Sequence, residues 1–235
     1  MRKLLLLTTV IAMCSLTACE TLKMIDLTKF NAMDSLSTDK IIAGLKEALS
    51  TGSTRAVSKL SKQGGFSQNK LYRIGIPKKL ITVTDTLKTI GLGFIVSDFE
   101  KKMNQAAEEA SKSAGPVFIN AITQMKFSDA KKILDGSDTA ATDYLHKTTY
   151  AELFDLYKPI IKENMSKVGV TKIYNNLMNK YAAIPFKSKP QFSLDDYITK
   201  QALKGMFGML AKEEIQIRKN PAARTSELLK QVFGK

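Results

Sequence analysis

From residue 38 onward, apolar side chains recur every three or four positions along nearly the whole chain. That spacing is the signature of helices with one buried stripe. Ile41, Ile42, Leu45, Leu49, Ala56, Val57 and Leu60 follow Ser37 and Thr38, either of which suits an N-cap, and Gly64-Gly65 stops the run. Residues 71–76 break the period. There Leu71, Arg73, Ile74 and Ile76 predict a short extended segment, and Pro77 then suits the first turn of a second helix.

Further stripes follow in order. Leu80, Val83, Leu87 and Ile90 form one. Ile95, Phe99, Met103, Ala106, Ala107 and Ala110 form the next, with small residues that permit close packing. Val117, Phe118, Ala121, Ile122 and Met125 restart after Gly115-Pro116, and a short helix reaches Leu134. Ser137 or Asp138 caps a helix through Ala141 and Leu145, and Thr149-Tyr150-Ala151-Glu152 reads as a capping box opening another. Pro159 is expected to kink or divide that one. Stripes at Val170–Tyr181, at Tyr197–Ile217 and at Leu228–Phe233 complete the chain. The expectation is an all-α protein: a single multi-helix orthogonal bundle of about nine helices, with no sustained alternation that would make a sheet.

The N-terminus follows a different rule. Arg2 and Lys3 precede an uncharged apolar run from Leu4 to Met13. That run is shorter than the roughly 20 residues a bilayer span needs, and it fits the core of an export signal. Leu16-Thr17-Ala18-Cys19 resembles the bacterial lipobox, in which the cysteine sulfur receives a diacylglycerol and cleavage falls just before it. The expected organisation is a lipoprotein signal peptide over 1–18, a lipidated tether over 19–37 and a helical periplasmic domain over 38–235. The tether reaches roughly 60 Å at most, at about 3.3–3.6 Å per residue. Glu20, where an Asp would mark inner-membrane retention in Gram-negative sorting, points to the outer membrane.

Charge narrows the partners. With 36 Lys and Arg against 22 Asp and Glu, the chain carries +14, most of it as lysine. An export signal and the absence of zinc-finger, RNP-like or basic-tail patterns argue against nucleic acid. Attraction to an anionic membrane surface remains, effective within a Debye length of roughly 8 Å.

The chemistry-bearing residues are few. Cys14 falls in the signal and Cys19 is the lipid acceptor, so the mature domain offers no disulfide and no thiol nucleophile. His146 is the only histidine, which excludes the usual transition-metal cages, and its expected place is a helix-end surface position. Asp129, Asp135, Asp138 and Asp143 lack EF-hand spacing and read as caps and turn residues. No metal and no cofactor is expected, and no catalytic set is assigned. Asn104 and Glu108 stand four apart and so share a helix face, either a solvated one or the lining of a polar pocket. Arg73, in the extended segment, could pair with a carboxylate or bind an anion. These three are the sequence's site for a ligand or anion. Glu214 and Arg218, also four apart, read as a surface ion pair worth about 0.3–0.5 kcal/mol.

Several segments resemble one family. They are GLKEALSTGSTRAVSKL (44–60), RIGIP (73–77), MNQAAEEA (103–110), ILDGSDTAATDYL (133–145) and EEIQIRKNPAARTSELLKQVFG (213–234). Together they resemble a bacterial lipoprotein family of unknown function, domain of unknown function 4197, over most of the mature chain. The resemblance implies a helical exported domain and carries over no activity, cofactor or catalytic residue. The functional expectation is a membrane-anchored, non-enzymatic envelope lipoprotein that binds a partner protein or an amphiphilic ligand between helices. The alternative is a carboxylate-dependent hydrolase of envelope material, using Glu108 with Asn104.

Overall fold

A computed structural model describes residues 36–234, and the signal segment, Cys19 and most of the tether lie outside the described residues. Among the described residues the chain forms nine α-helices, two short 3-10 turns and no strand. The periodic stripes locate these helices well. Helix α1 spans Thr38–Leu60, α2 Ile81–Thr89, α3 Gly93–Ser111, α4 Ala114–Gln124 and α5 Ala130–Leu134. Helix α6 spans Ala140–Lys167, α7 Val170–Ala182, α8 Leu194–Lys219 and α9 Glu227–Phe233.

The bundle is built around α8, which packs along both α1 and α6, while α3 packs on α6 and α7. Leu45, Leu49, Phe99, Phe118, Ile161 and Met206 are buried almost completely in the shared core. Each such side chain contributes about 1.5–3 kcal/mol when taken out of water. Tyr157 is fully buried among them. Its burial pushes the phenol well above its ordinary pKa, and its hydroxyl lies 3.5 Å from that of Ser111.

Two local expectations are corrected. The helices predicted on either side of Thr149 are one continuous helix, α6, running through Pro159. Thr149 caps nothing: it is buried, and its hydroxyl donates back to the Leu145 carbonyl at 2.6 Å, as a mid-helix threonine does. The segment predicted as extended begins instead in a turn, with the Tyr72 and Arg73 N–H groups bonded to the Asn69 carbonyl. Residues 73–77 then run irregularly with no neighbouring strand. A lone segment has no ladder to join, so its buried backbone must find side chains.

The connection from α1 to α2 lies against α8 at two glycines. A Cβ on Gly205 would come within 2.6 Å of the Phe66 ring, and one on Gly208 within 2.6 Å of the Tyr72 ring and hydroxyl. The absence of side chains there lets two aromatic rings seat directly on the helix. Tyr197, near the start of α8, donates its hydroxyl to the Gly75 carbonyl at 2.9 Å and fixes the far end of the same connection.

Candidate functional site

Asn104 and Glu108 do share a face of α3, and that face points inward. They are 1% and 6% exposed, so the solvated-face expectation does not hold. Glu108 Oε1 accepts from the backbone N–H groups of Gly64 (3.2 Å), Phe66 (3.1 Å) and Ser67 (3.1 Å), and from the Ser67 hydroxyl (3.1 Å). A turn with several converging N–H groups is an anion nest, and the protein's own carboxylate fills it. Asn104 accepts from the Ile74 N–H and donates to the Ile74 carbonyl, both at 2.8 Å, and it also donates to the Glu100 carbonyl. Its amide thus takes the place of a neighbouring strand. Arg73 sits at the surface, paired with Glu100 at 2.8–2.9 Å. The three residues come together on one connection: Asn104 and Glu108 Oε1 hold its backbone, and Arg73, within it, pairs with Glu100. Glu108 also lines a surface recess of about 590 Å³ with Ser67, Gln68, Lys101, Lys102 and Lys112 among its walls.

The other buried acids are likewise committed. Glu214 is 1% exposed, not the surface residue its spacing suggested. Its carboxylate accepts from the Ala141 and Thr142 N–H groups at 3.0 and 2.8 Å and from the Thr142 hydroxyl at 2.6 Å. These are orphan donors at the start of α6, where a negative charge also meets the positive end of the helix dipole. Arg218 pairs with Glu214 at 2.8 Å and donates to the Ile133 and Leu134 carbonyls at the end of α5. Glu213 is shared between Lys59 and Arg55 of α1. These two cations, with Lys212, border a recess of about 680 Å³.

A third concavity differs in kind. Between α6 and α8 lies a groove of about 600 Å³ with His146, Tyr150, Lys200, Lys204 and Phe207 in its lining. His146 and Tyr150 have ring centroids 4.8 Å apart, and the imidazole meets Phe207 edge-on at 4.7 Å. Phe154 continues the row at 6.4 Å from Tyr150, and the Lys200 ammonium lies 5.9 Å over its ring. Gly208 and Ala211 keep the α8 wall low. Burial pushes the Tyr150 phenol above its ordinary pKa, so the hydroxyl is a neutral donor at physiological pH. The cluster is aromatic below and cationic at the rim. Asp143 also lines the groove, but its carboxylate accepts from the Thr139 hydroxyl at 2.8 Å.

Sequence reasoning places His146 at a helix end and does not find this cluster. Once α6 is known to be continuous, His146 stands mid-helix, with Tyr150 and Phe154 at successive four-residue steps on the same face. That spacing was the available signal. No group of three or more metal-ligating side chains occurs among the described residues.

The described residues thus define an all-α bundle with a groove lined by aromatic and cationic side chains between α6 and α8. The chain belongs to the family described as protein of unknown function (DUF4197), which matches residues 35–234. No curated protein and no solved structure matches the chain.

Proposed function

We propose that this protein is a non-enzymatic binding protein of the bacterial envelope, and that the α6–α8 groove takes an amphiphile with an anionic head. The observation that carries the reading is the row of His146, Tyr150 and Phe154, exposed or half-buried along one face of α6, beside Lys200 and Lys204. Pockets for small ligands combine apolar walls with a few placed polar groups, and cation and ring together suit an anionic amphiphile. The buried glutamates favour this reading over a carboxylate-dependent hydrolase. Glu213 and Glu214 spend both oxygens on cations or backbone N–H groups that hold the fold, and Glu108 commits Oε1 to four donors of one turn. A general acid or base needs a free proton site facing substrate.

Calorimetric titration of the purified full chain with dodecyl phosphate below its micelle concentration tests the site. Saturable binding is expected. The double variant Lys200→Glu/Lys204→Glu should weaken it by at least about tenfold, or roughly 1.4 kcal/mol. Both lysines are exposed, so the fold should survive. Equal affinity in the variant and the parent would remove the groove from the account.

The address is part of the same proposal: acyl chains on Cys19 hold the domain at the periplasmic face of the outer membrane. A signal of this form followed by a cysteine supports it, and two or more chains anchor far more firmly than one. Intact-mass measurement of the protein extracted from a bacterial envelope should show a mature N-terminus at Cys19 carrying a diacylglycerol. An unmodified Cys19 would end the anchoring half of the proposal and leave the groove to stand alone.

A further inference from the structure

The connection between α7 and α8 carries an arrangement that neither the groove nor the core explains. Ile184, Pro185, Phe186 and Lys187 form a turn closed by the Lys187 N–H on the Ile184 carbonyl at 3.2 Å. Phe186 occupies the third position with φ +63, and no other non-glycine residue among the described ones has a positive φ. That position favours glycine, and a bulky side chain there is strained. The ring gains nothing from the fold in return, because Phe186 is fully exposed, at 107%. The turn is nevertheless anchored. The Ile184 N–H bonds the carbonyl of the buried Tyr181, and the Lys189 ammonium donates to Asn179 Oδ1 at 2.6 Å. A strained, anchored turn that holds an aromatic ring in water is a feature to be explained by what it meets.

Charge identifies the occupant. From Asn164 to Leu194 the sequence contains no Asp or Glu and five lysines: 167, 172, 180, 187 and 189. All five are exposed. Of the carboxylates that bracket this stretch, Glu163 is paired with Lys167 at 2.5 Å, and Asp195 and Asp196 share Lys158 at 3.6 and 2.6 Å, which leaves Lys172, Lys180, Lys187 and Lys189 outside any ion pair with them. On α7, Lys172, Asn176 and Lys180 follow one another at four-residue steps on the outer face. One protruding ring amid dispersed lysines presents far less apolar surface than the roughly 800 Å² per partner of a stable protein interface. A fluid bilayer demands no complementary shape. It accepts an aromatic ring at the boundary of headgroups and acyl chains, and its phosphates attract nearby lysines.

We propose that this connection is a contact with an anionic lipid bilayer, in which Phe186 enters the interface and Lys172, Lys180 and Lys187 meet headgroup phosphates. Such a contact requires neither the groove nor acylation of Cys19.

The chain has no tryptophan, so Phe186→Trp in the full chain installs a single reporter at this site. Vesicles of phosphatidylglycerol and phosphatidylcholine, with brominated acyl chains in a parallel set, are the probe. On anionic vesicles the indole emission of this variant should shift to the blue and be quenched by the brominated lipid. Adding Lys180→Glu and Lys187→Glu should weaken this response by at least about tenfold, given the attraction each lysine contributes near a charged surface. Circular dichroism should be unchanged, since all three positions are exposed. Emission that stays water-like on anionic vesicles, even where the protein sediments with them through another part, would overturn the proposal. So would an equal response on vesicles of phosphatidylcholine alone.

Discussion

Glu214→Ala is expected to cost about 3–5 kcal/mol of folding stability, the magnitude found when one member of a buried pair is removed. The change strips the Ala141 and Thr142 N–H groups of their acceptor inside the protein. It also leaves Arg218, whose side chain is 10% exposed, as a charge without its counterion. Domains hold together by only about 5–15 kcal/mol, so this single carboxylate carries a large share. For a domain of this size the melting temperature should fall by roughly 6–20 °C, at about 2–4 °C per kcal/mol. Thermal and urea unfolding followed by circular dichroism measure it. Glu227→Ala is the matched control. Its carboxylate is 77% exposed and paired with Lys230 three residues on, a class of ion pair worth less than about 1 kcal/mol. Equal small losses in the two variants would mean that Glu214 does not tie α5, α6 and α8 together. Arg218→Leu provides the second edge of a cycle. The two losses should be strongly non-additive, because either change abolishes the same arrangement.

The helical stripes were legible because they depend on a local rule. A residue such as Leu45 or Phe99 is buried wherever the 3.6-residue period places it, and the pattern can be counted. The boundary near Thr149 misleads for the same reason. A capping box and a mid-helix threonine look alike until the i−4 carbonyl is seen accepting the hydroxyl. The glutamates were hidden by a different cause. Glutamate is rarely buried, so each reads as solvated until its partners appear, and those partners are remote in sequence. Glu214 meets donors more than 70 positions away, and Glu108 meets a turn about 40 positions earlier. Arg73 lies in the connection between α1 and α2, and Asn104 and Glu108 attach to it from α3. What their spacing did not reveal is that the backbone of that connection occupies the Asn104 amide and Glu108 Oε1, while Arg73 pairs with Glu100. The aromatic groove needed only the continuity of α6. Phe186 had no periodic signal, because its exposure follows from one dihedral angle in one turn.

That connection is also the site of the second large effect. Asn104→Leu is expected to destabilise the fold by about 2–6 kcal/mol, since the Ile74 N–H and carbonyl would each lose their partner in a buried place, at about 1–3 kcal/mol apiece. Leucine keeps the same branched heavy-atom skeleton with bulkier ends, so the change opens no cavity. Ile74 is 0% exposed, which leaves water no route to replace the amide. Hydrogen exchange gives a local reading beside global unfolding: the Ile74 amide should be protected in the parent and exchange much faster in the variant. Arg73→Ala, which removes an exposed pair with Glu100 one residue away, should change stability by no more than about 1 kcal/mol and leave that amide protected. The contrast separates a side chain that substitutes for a strand from one that decorates the surface. If Ile74 stayed protected in Asn104→Leu, the connection would have to be held mainly by Phe66 on Gly205, Tyr72 on Gly208 and the nest around Glu108. Because Gly208 also walls the groove, a connection released by Asn104→Leu should weaken dodecyl phosphate binding as well. One held by the aromatic rings should leave that binding intact.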